Sequence, residues 1–349
     1  MCILYTIMDN NIFKLFDTLI DTHGYKKISN EFNVALGTVK RWKELNSIPK
    51  QYHFDLMKMG NIDIDYSLYS YSDKDQFFTT EDTAKYCYKK YIEIISQYDE
   101  NPSEYTYIEP SAGSGNFLKI LPKNTIAFDI EPRHNKVVKQ DYLLWKPNDK
   151  QRYCVFGNPP FGLRGQLALK FINHSYSFAD YVCFILPQLF ASDGKGVPRK
   201  RVKGYYLIHS EPLKTYFQDP DNKKIKINCI FQIWSKHHIN ENYIIKNNNN
   251  EDITIYSLSD GGTSATTRNK EMFYKCDAYL PSTCFGEHNM KYYESFDLLP
   301  GRKGYGIVFH VNKKEYLIKF KSINWGKVAF LSTNSAYNIR SSQIDDALK

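Results

Sequence analysis

An α/β domain built on a mainly parallel sheet is the fold class this sequence predicts for its middle, with a helical segment before it and a strand-and-turn region after it. Three observations predict it. Short apolar runs at 105–108, 125–130, 153–156, 181–186, 205–208 and 228–234 alternate with helix-like segments between several of them. The first run leads into the glycine turn Gly113-Ser114-Gly115 and the second ends in Asp129-Ile130-Glu131, at strand ends where such sheets bind ligands. A hydrophobic content of 42% suffices for real cores, and 349 residues are comfortable for two or three domains.

The first 60 residues read as short helices. From Asn11 to Asp21, residues Ile12, Phe13, Leu15, Phe16, Leu19 and Ile20 lie on one helical face. A second helix is expected around Tyr25 to Phe32, a turn at Asn33-Val34, and a third helix from about Leu36 to Leu45. Val34, Val39 and Trp42 would then pack inward, with Thr38, Lys40, Arg41 and Lys43 on or beside the exposed face. That is a helix-turn-helix with a basic recognition helix; the alternative is a helical bundle with solvated lysines. Asn46-Ser47-Ile48-Pro49-Lys50 resembles the segment after the recognition helix in phage-repressor-like domains. Residues 61–75 are polar and read as a linker. Beyond Trp234 the texture changes to short strands and turns without helical periodicity, broken by Asn247 to Asn250, and 237–349 is expected to form a third region.

A net charge of +8 favours a polyanionic partner without requiring one, and 28 Tyr and 22 Phe serve stacked bases and cores alike. The seven cysteines form no C-x-x-C pair and no His stands at ligand spacing, so reduced, mostly buried thiols and no metal site are expected. No apolar run is long enough to span a bilayer, and the opening residues lack a basic start and a cleavage site, so an intracellular, cytoplasmic protein is expected. Met8 offers a second start.

Asn158-Pro159-Pro160-Phe161 follows the apolar run Cys154-Val155-Phe156-Gly157. The exocyclic amine of adenine is a poor nucleophile because its lone pair is delocalised into the ring. Two acceptors aimed at its N–H bonds return that pair to nitrogen. The Asn158 side-chain oxygen and the Pro159 carbonyl are such acceptors, and prolines stiffen the backbone without adding a competing N–H. Phe161 offers a flat apolar face for a base rotated out of its duplex. A Pro-rich turn is the plain alternative, and the upstream residues weigh against it. Glu109, ahead of the glycines, suits a cationic group such as an amino-acid ammonium. The glycine run does not continue as G-x-G-x-x-G, which puts a dinucleotide site second. Asp129 stands where a ribose diol would be held by charge-assisted hydrogen bonds. After a third strand, Asp141 is placed to accept from an adenine amino group and Tyr142 to flank the ring.

In this order the residues from 76 to 236 resemble the amino-group DNA methyltransferases that use S-adenosylmethionine, in particular the N6-adenine enzymes of the γ motif order. Gln76-Phe77-Phe78-Thr79-Thr80-Glu81-Asp82-Thr83 looks like the motif that precedes the glycine loop in that family, with Thr80 where the family often has Pro. The resemblance implies a Rossmann-like S-adenosylmethionine-dependent methyltransferase core (76–236), an N-terminal α-helical helix-turn-helix domain (1–60), a linker (61–75) and a C-terminal β-rich target-recognition region (237–349). It implies that Thr79 contacts the methionine carboxylate and that Glu109, Pro110, Ala112, Gly113 and Gly115 cradle the methionine part. Asp129 and Ile130 would hold the ribose, and Asp141 and Tyr142 the adenine. Asn158, Pro159, Pro160 and Phe161 would orient and stack the target base, with Asn158 also touching the cofactor. No Pro-Cys pair occurs, as a C5-cytosine enzyme would need.

The basic, glycine-punctuated segment 194–203 is expected to be mobile and to place Lys195, Arg199, Lys200, Arg201 and Lys203 on DNA phosphates, against a solvated loop as the alternative. Phe231 or Trp234 falls where the family packs a second residue on the flipped base, and core packing explains both equally well. In the tail, Arg268, Lys270, Arg302, Lys303, Lys313 and Lys314 lie among aromatics. The expected activity is sequence-specific N6-methylation of a flipped adenine in double-stranded DNA, of the restriction-modification kind, with a cognate restriction endonuclease as a prospective partner. RNA-adenine or protein-glutamine N-methylation stays open, because N-P-P-[YF] serves those substrates too. So does a DNA-binding regulator with a degenerate methyltransferase domain.

Overall fold

A left-handed glycine splits the helical N-terminus. In the computed structural model Gly24, at φ 74° and ψ 157°, interrupts the run α1 (Cys2–Glu31) between the two helices the sequence predicts there. The structure describes residues 2–32, 34–192, 197–245, 250–263, 266–332 and 335–349, with the side chains from residue 11 onward except that of Ser67. The chain divides into two units, Met1–Phe77 and Phe78–Lys349.

In the first unit α1 is followed by α2 (Leu36–Glu44) and α3 (His53–Met59). Phe16, Ile28, Val39 and Leu56 are fully buried, and Trp42 packs on Tyr52 with ring centroids 4.6 Å apart. Val39 and Trp42 lie one helical turn apart and share the inward face of α2, which leaves Lys40 and Arg41 exposed and Thr38 half-buried. Lys43 pairs with Asp17 of α1 at 2.6 Å. Of the expected turn, Asn33 lies outside the described residues.

The second unit is organised by a seven-stranded sheet: β1 (Thr106–Glu109), β2 (Ile126–Asp129), β3 (Val138–Lys139), β4 (Tyr153–Gly157), β5 (Ala179–Pro187), β6 (Tyr206–Leu213) and β7 (Cys229–Ser235). Its order is β3-β2-β1-β4-β5-β7-β6. The first five strands are mutually parallel, and β7 runs antiparallel between β5 and β6. The chain winds outward from β1 in one direction and from β4 in the other, so the switch point of the sheet lies between those two strands.

Both faces of the sheet are covered. α4 (Glu81–Ile95) lays Tyr91 on Tyr107 and Phe156, at centroid distances of 6.1 and 5.6 Å. On the opposite face α5 (Gln166–Ser175) buries Ala168, Leu169, Phe171 and Ile172 against Ile108, Val155, Val182, Phe184 and Ile230. A strand buried on both sides reads as an apolar run rather than an alternation. The helix-like segments expected between several strands are mostly absent. Between β1 and β5 only α5 is an α-helix, and one-turn 3-10 segments such as Phe117–Lys119 and Tyr142–Leu144 make the other connections. Pro122 follows the first of these closely and cannot continue a helix.

Outside this sheet, Phe78–Thr79 pairs with Phe217–Gln218, which pairs in turn with Lys224–Ile225. Farther on, β8 (Ile253–Ser259), β9 (Ala278–Pro281) and β10 (Lys303–Phe309) form an antiparallel sheet in the order β8-β10-β9. The expected absence of helix in the tail is corrected by α6 (Lys313–Ser322), α7 (Trp325–Val328) and α8 (Ser341–Leu348). α6 buries only Phe320 fully, so its lysine-rich sequence shows no apolar stripe. Phe320, Trp325, Ile344 and Leu348 share one core with Ile307 and Phe309 of β10. No helix among the described residues is long and apolar enough to cross a membrane.

Candidate active site

β1 ends at Glu109 and β4 at Gly157, on either side of the switch point. The two ends touch, since a Cβ added at Gly157 would stand 3.5 Å from Glu109 Cγ and 3.4 Å from Pro110 Cδ. Ser111 Oγ donates to the Asn158 carbonyl at 3.1 Å, tying the glycine turn to Asn158-Pro159-Pro160-Phe161. Pro159 is buried, and Asn158, Pro160 and Phe161 are half-buried.

Glu109 is only 1% exposed, and its Oε2 accepts no hydrogen bond among the described residues. Burial, and then the nearby Asp129 charge, push its carboxyl well above the ordinary carboxylate range. A buried acid in this state is restored by a cationic partner. Thr79 is also buried, and its Oγ1 has no hydrogen-bond partner among the described residues. Both oxygens lie near the carboxyl end of the central strands, where a ligand with matching groups could pair with them.

Asp129 is held firmly. Its Oδ2 accepts from the Gly113 N–H at 2.7 Å and its Oδ1 from the Glu131 N–H at 2.8 Å. Burial raises its pKa, and these two amide donors oppose the rise. Gly113 makes the first bond from φ 49°, and a Cβ there would stand 2.8 Å from the Phe78 ring, so both conformation and space demand glycine. Arg133 lies over that same ring, 5.4 Å from its centroid. The Ala112 N–H donates to the Phe128 carbonyl at 2.9 Å, and the Gly115 N–H closes back on Ala112 at 2.7 Å. Asn116 Nδ2 donates to the Thr79 carbonyl at 2.8 Å, which fixes Thr79 beside the turn. The Gln140 N–H donates to the Asp129 carbonyl at 3.0 Å, bringing Asp141 next to that strand end. Asp141 Oδ1 accepts from the Leu143 N–H at 3.0 Å. Ile130 is 38% exposed, an apolar side chain left beside the acid.

Thr79, Glu109, Pro110, Ala112, Gly113, Gly115, Asp129, Ile130, Asp141 and Asn158 therefore gather at or beside the carboxyl ends of the central strands. Tyr142 does not join them. It is 1% exposed, its hydroxyl is 2.7 Å from Ser175 Oγ, and its ring packs among Phe171, His174 and Phe178 under α5, so the expectation that it flanks a ligand is corrected. Phe231 is corrected likewise. It is fully buried in β7 with its ring 5.8 Å from Phe156, and core packing rather than base stacking explains it.

The basic segment divides. Lys195 lies outside the described residues. Pro198–Arg201 form a 3-10 turn in which Arg199 donates to the Tyr243 carbonyl and Arg201 to Gln166 Oε1, so two guanidiniums expected on a mobile loop are tied into the protein. Lys200 and Lys203 are exposed. In the tail Arg302 pairs with Asp260 and Asp297 at 3.0 and 2.8 Å, and Lys313 with Asp277 at 3.4 Å. Sequence reasoning gave no role to Ser111, Asn116 or Phe78. Polar residues within the glycine turn were the available signal for the first two.

No family model matches this sequence, and no curated protein does. Among solved structures, a candidate RNA methyltransferase of Pyrococcus horikoshii shares 18% identity over 46% of this chain and 86% of its own, with a TM-score of 0.34. A Thermoplasma acidophilum protein shares 16% over 42% of this chain and 83% of its own, TM-score 0.29. The 23S rRNA methyltransferase ErmE shares 14% over 43% of this chain and 68% of its own, TM-score 0.29.

Proposed function

We propose that this chain transfers the methyl group of S-adenosylmethionine to the N6 amine of an adenine in duplex DNA, using the crevice at the switch point between β1 and β4. The observation that carries this reading is the pairing of a buried, unsatisfied acid, Glu109, with Asn158-Pro159-Pro160 on the adjoining strand end. A cofactor with an ammonium, a carboxylate and a ribose fits the residues present. Glu109 matches the ammonium, Thr79 Oγ1 offers a donor to the carboxylate, and each Asp129 oxygen keeps a lone pair for a ribose hydroxyl.

When bound, S-adenosylmethionine supplies a methyl already activated on a sulfonium, so the chain's task is largely orientation and exclusion of water. Asn158 Oδ1 and the Pro159 carbonyl accept from the two amine hydrogens, which draws the lone pair onto nitrogen. Phe161 stacks on the base. Ser111 fixes the Asn158 backbone, so the acceptor side chain starts from a held position. The exposed Lys40 and Arg41 of α2, with Lys200 and Lys203, supply cations for DNA phosphates.

The test is to incubate the protein with methyl-labelled S-adenosylmethionine and, separately, with duplex DNA, RNA and a glutamine-bearing protein mixture, and to digest each to its monomers. The proposal expects label in N6-methyladenine from DNA. Label only in RNA adenine or in protein glutamine moves the substrate to that class, and label in none of them rejects methyl transfer at this site.

A further inference from the structure

Arg164 stands out among residues with a positive φ. Most of the described non-glycine residues in that region are Asn or Asp, which tolerate it; the others are Arg164, Arg302 and Ser335. Arg302 is held there by two carboxylates, and the Ser335 N–H closes a turn on the Ser332 carbonyl at 2.9 Å. Arg164, at φ 51° and ψ 32°, is exposed, and no hydrogen bond or ion pair holds its guanidinium among the described residues. The backbone that holds it is closely packed. Gly162 and Gly165 on either side are also left-handed, and a Cβ on them would meet Leu167 at 2.7 Å and Phe190 at 2.8 Å. The Leu167 and Ala168 N–H groups close the loop onto the Phe161 carbonyl at 3.1 and 3.3 Å. A hydrogen-bonded loop with strained backbone at Arg164 thus starts at Phe161 and presents a cation with no partner among the described residues, a use of strain that can position a functional group.

A second guanidinium reaches the same loop from elsewhere in the chain. Arg201 NH1 donates to Gln166 Oε1 at 3.2 Å, while its Nε is buried without an acceptor and no carboxylate pairs with it among the described residues. Two cations with no carboxylate partner among the described residues therefore flank the loop that follows Asn158-Pro159-Pro160-Phe161, with the exposed Lys200 beside Arg201.

We infer that Arg164, backed by the charge of Arg201, forms a phosphate subsite that grips the strand backbone next to the target nucleotide and holds it once the base has left the stack. This rests on the reading of Asn158–Phe161 as the target site. A guanidinium meets a phosphodiester with two parallel N–H donors, and a phosphate anchored beside the extruded nucleotide limits how far the backbone relaxes back.

Arg164→Gly tests this with a built-in control, because glycine relieves the left-handed backbone while removing the cation. A short adenine-containing DNA duplex serves as the probe. Three results are expected: a melting temperature at or above that of the wild type, about 10-fold weaker binding, and a salt dependence of log K shallower by about 0.9. Arg164→Lys should keep the salt slope and recover part of the affinity. In methyl transfer, KM should rise with kcat largely kept. Unchanged affinity and slope in Arg164→Gly would overturn the subsite, as would a lowered melting temperature with an unchanged slope, which marks a structural residue. Wild-type methyl transfer reports separately on the reading of the site, and the salt slope needs no methyl transfer at all.

Discussion

At the amino end of the central sheet, Arg152 precedes β4 and reaches Glu100 at 3.0 Å, Glu104 at 3.0 Å and Asp180 at 3.2 Å, while His237 and His238 lie 3.1 Å from Asp180 and Glu100. At the carboxyl end of the same strands, Glu109 is buried with an oxygen that accepts nothing among the described residues. Burial works against Glu100, yet hydrogen bonds from Tyr105 and His238 and the charge of Arg152 hold it below the ordinary carboxylate range. Glu109 has only burial and the Asp129 charge, and moves the other way. One sheet thus carries a glutamate that the fold satisfies and a glutamate that it leaves open. The first kind supports the strands, and the second is a candidate for holding a ligand.

The sharpest way to break this contrast is to delete the acceptor at the open end. Asn158→Ala should lower the rate of methyl transfer by about 10²–10³-fold, the scale for losing one preorganised group at a reacting centre. Thermal stability and cofactor affinity should stay near wild type, as single-turnover kinetics beside a melting curve would show. A smaller effect separates the two glutamates by pH. Glu109 titrates higher in the folded protein than in the unfolded chain, so the folded state holds the extra proton and stability falls as pH rises through the window above the ordinary carboxylate range. Glu109→Gln should flatten that decline in the melting temperature. Glu100 is depressed on folding, so its contribution is present above its unfolded pKa and is lost as pH falls through the folded value. Glu100→Gln should therefore lower the melting temperature at neutral pH and weaken its acid-side drop.

At the satisfied end, Arg152→Ala leaves several acids without their cation. It should cost about 1–2 kcal/mol in denaturant unfolding, a figure discounted because the side chain is partly exposed, with activity per folded molecule unchanged. The smallest effect belongs to the tyrosine reassigned to the core. Tyr142→Phe removes its hydroxyl contact with Ser175 and should cost about 1 kcal/mol with no change in cofactor affinity.

The strands of the central sheet were legible because residues buried on both faces form unbroken apolar runs. Glu109, Asp129 and Asn158 were legible as candidates because they fall at strand ends, which lie close to one another in a parallel sheet. Tyr142 and Phe231 were misplaced for one reason: an aromatic looks the same in sequence whether it meets a ligand or a core. Only their burial, at 1% and 0% exposure, separates the two. The Thr79 hydroxyl reaches the site through pairing with Phe217, and Arg201 reaches the Phe161 loop through Gln166, links across long sequence separations that local pattern does not carry. The helices of the tail escaped notice because α6 presents lysines on most of its surface and hides only Phe320 fully.

Calorimetric titration of S-adenosylmethionine into the wild type, Glu109→Gln and Arg152→Ala tests the central claim most directly. The wild type should bind one equivalent, Glu109→Gln should bind at least about 10-fold more weakly for loss of one charge-assisted pair, and Arg152→Ala should bind as the wild type does. Equal affinity in Glu109→Gln and the wild type would contradict the assignment of the open acid to the cofactor.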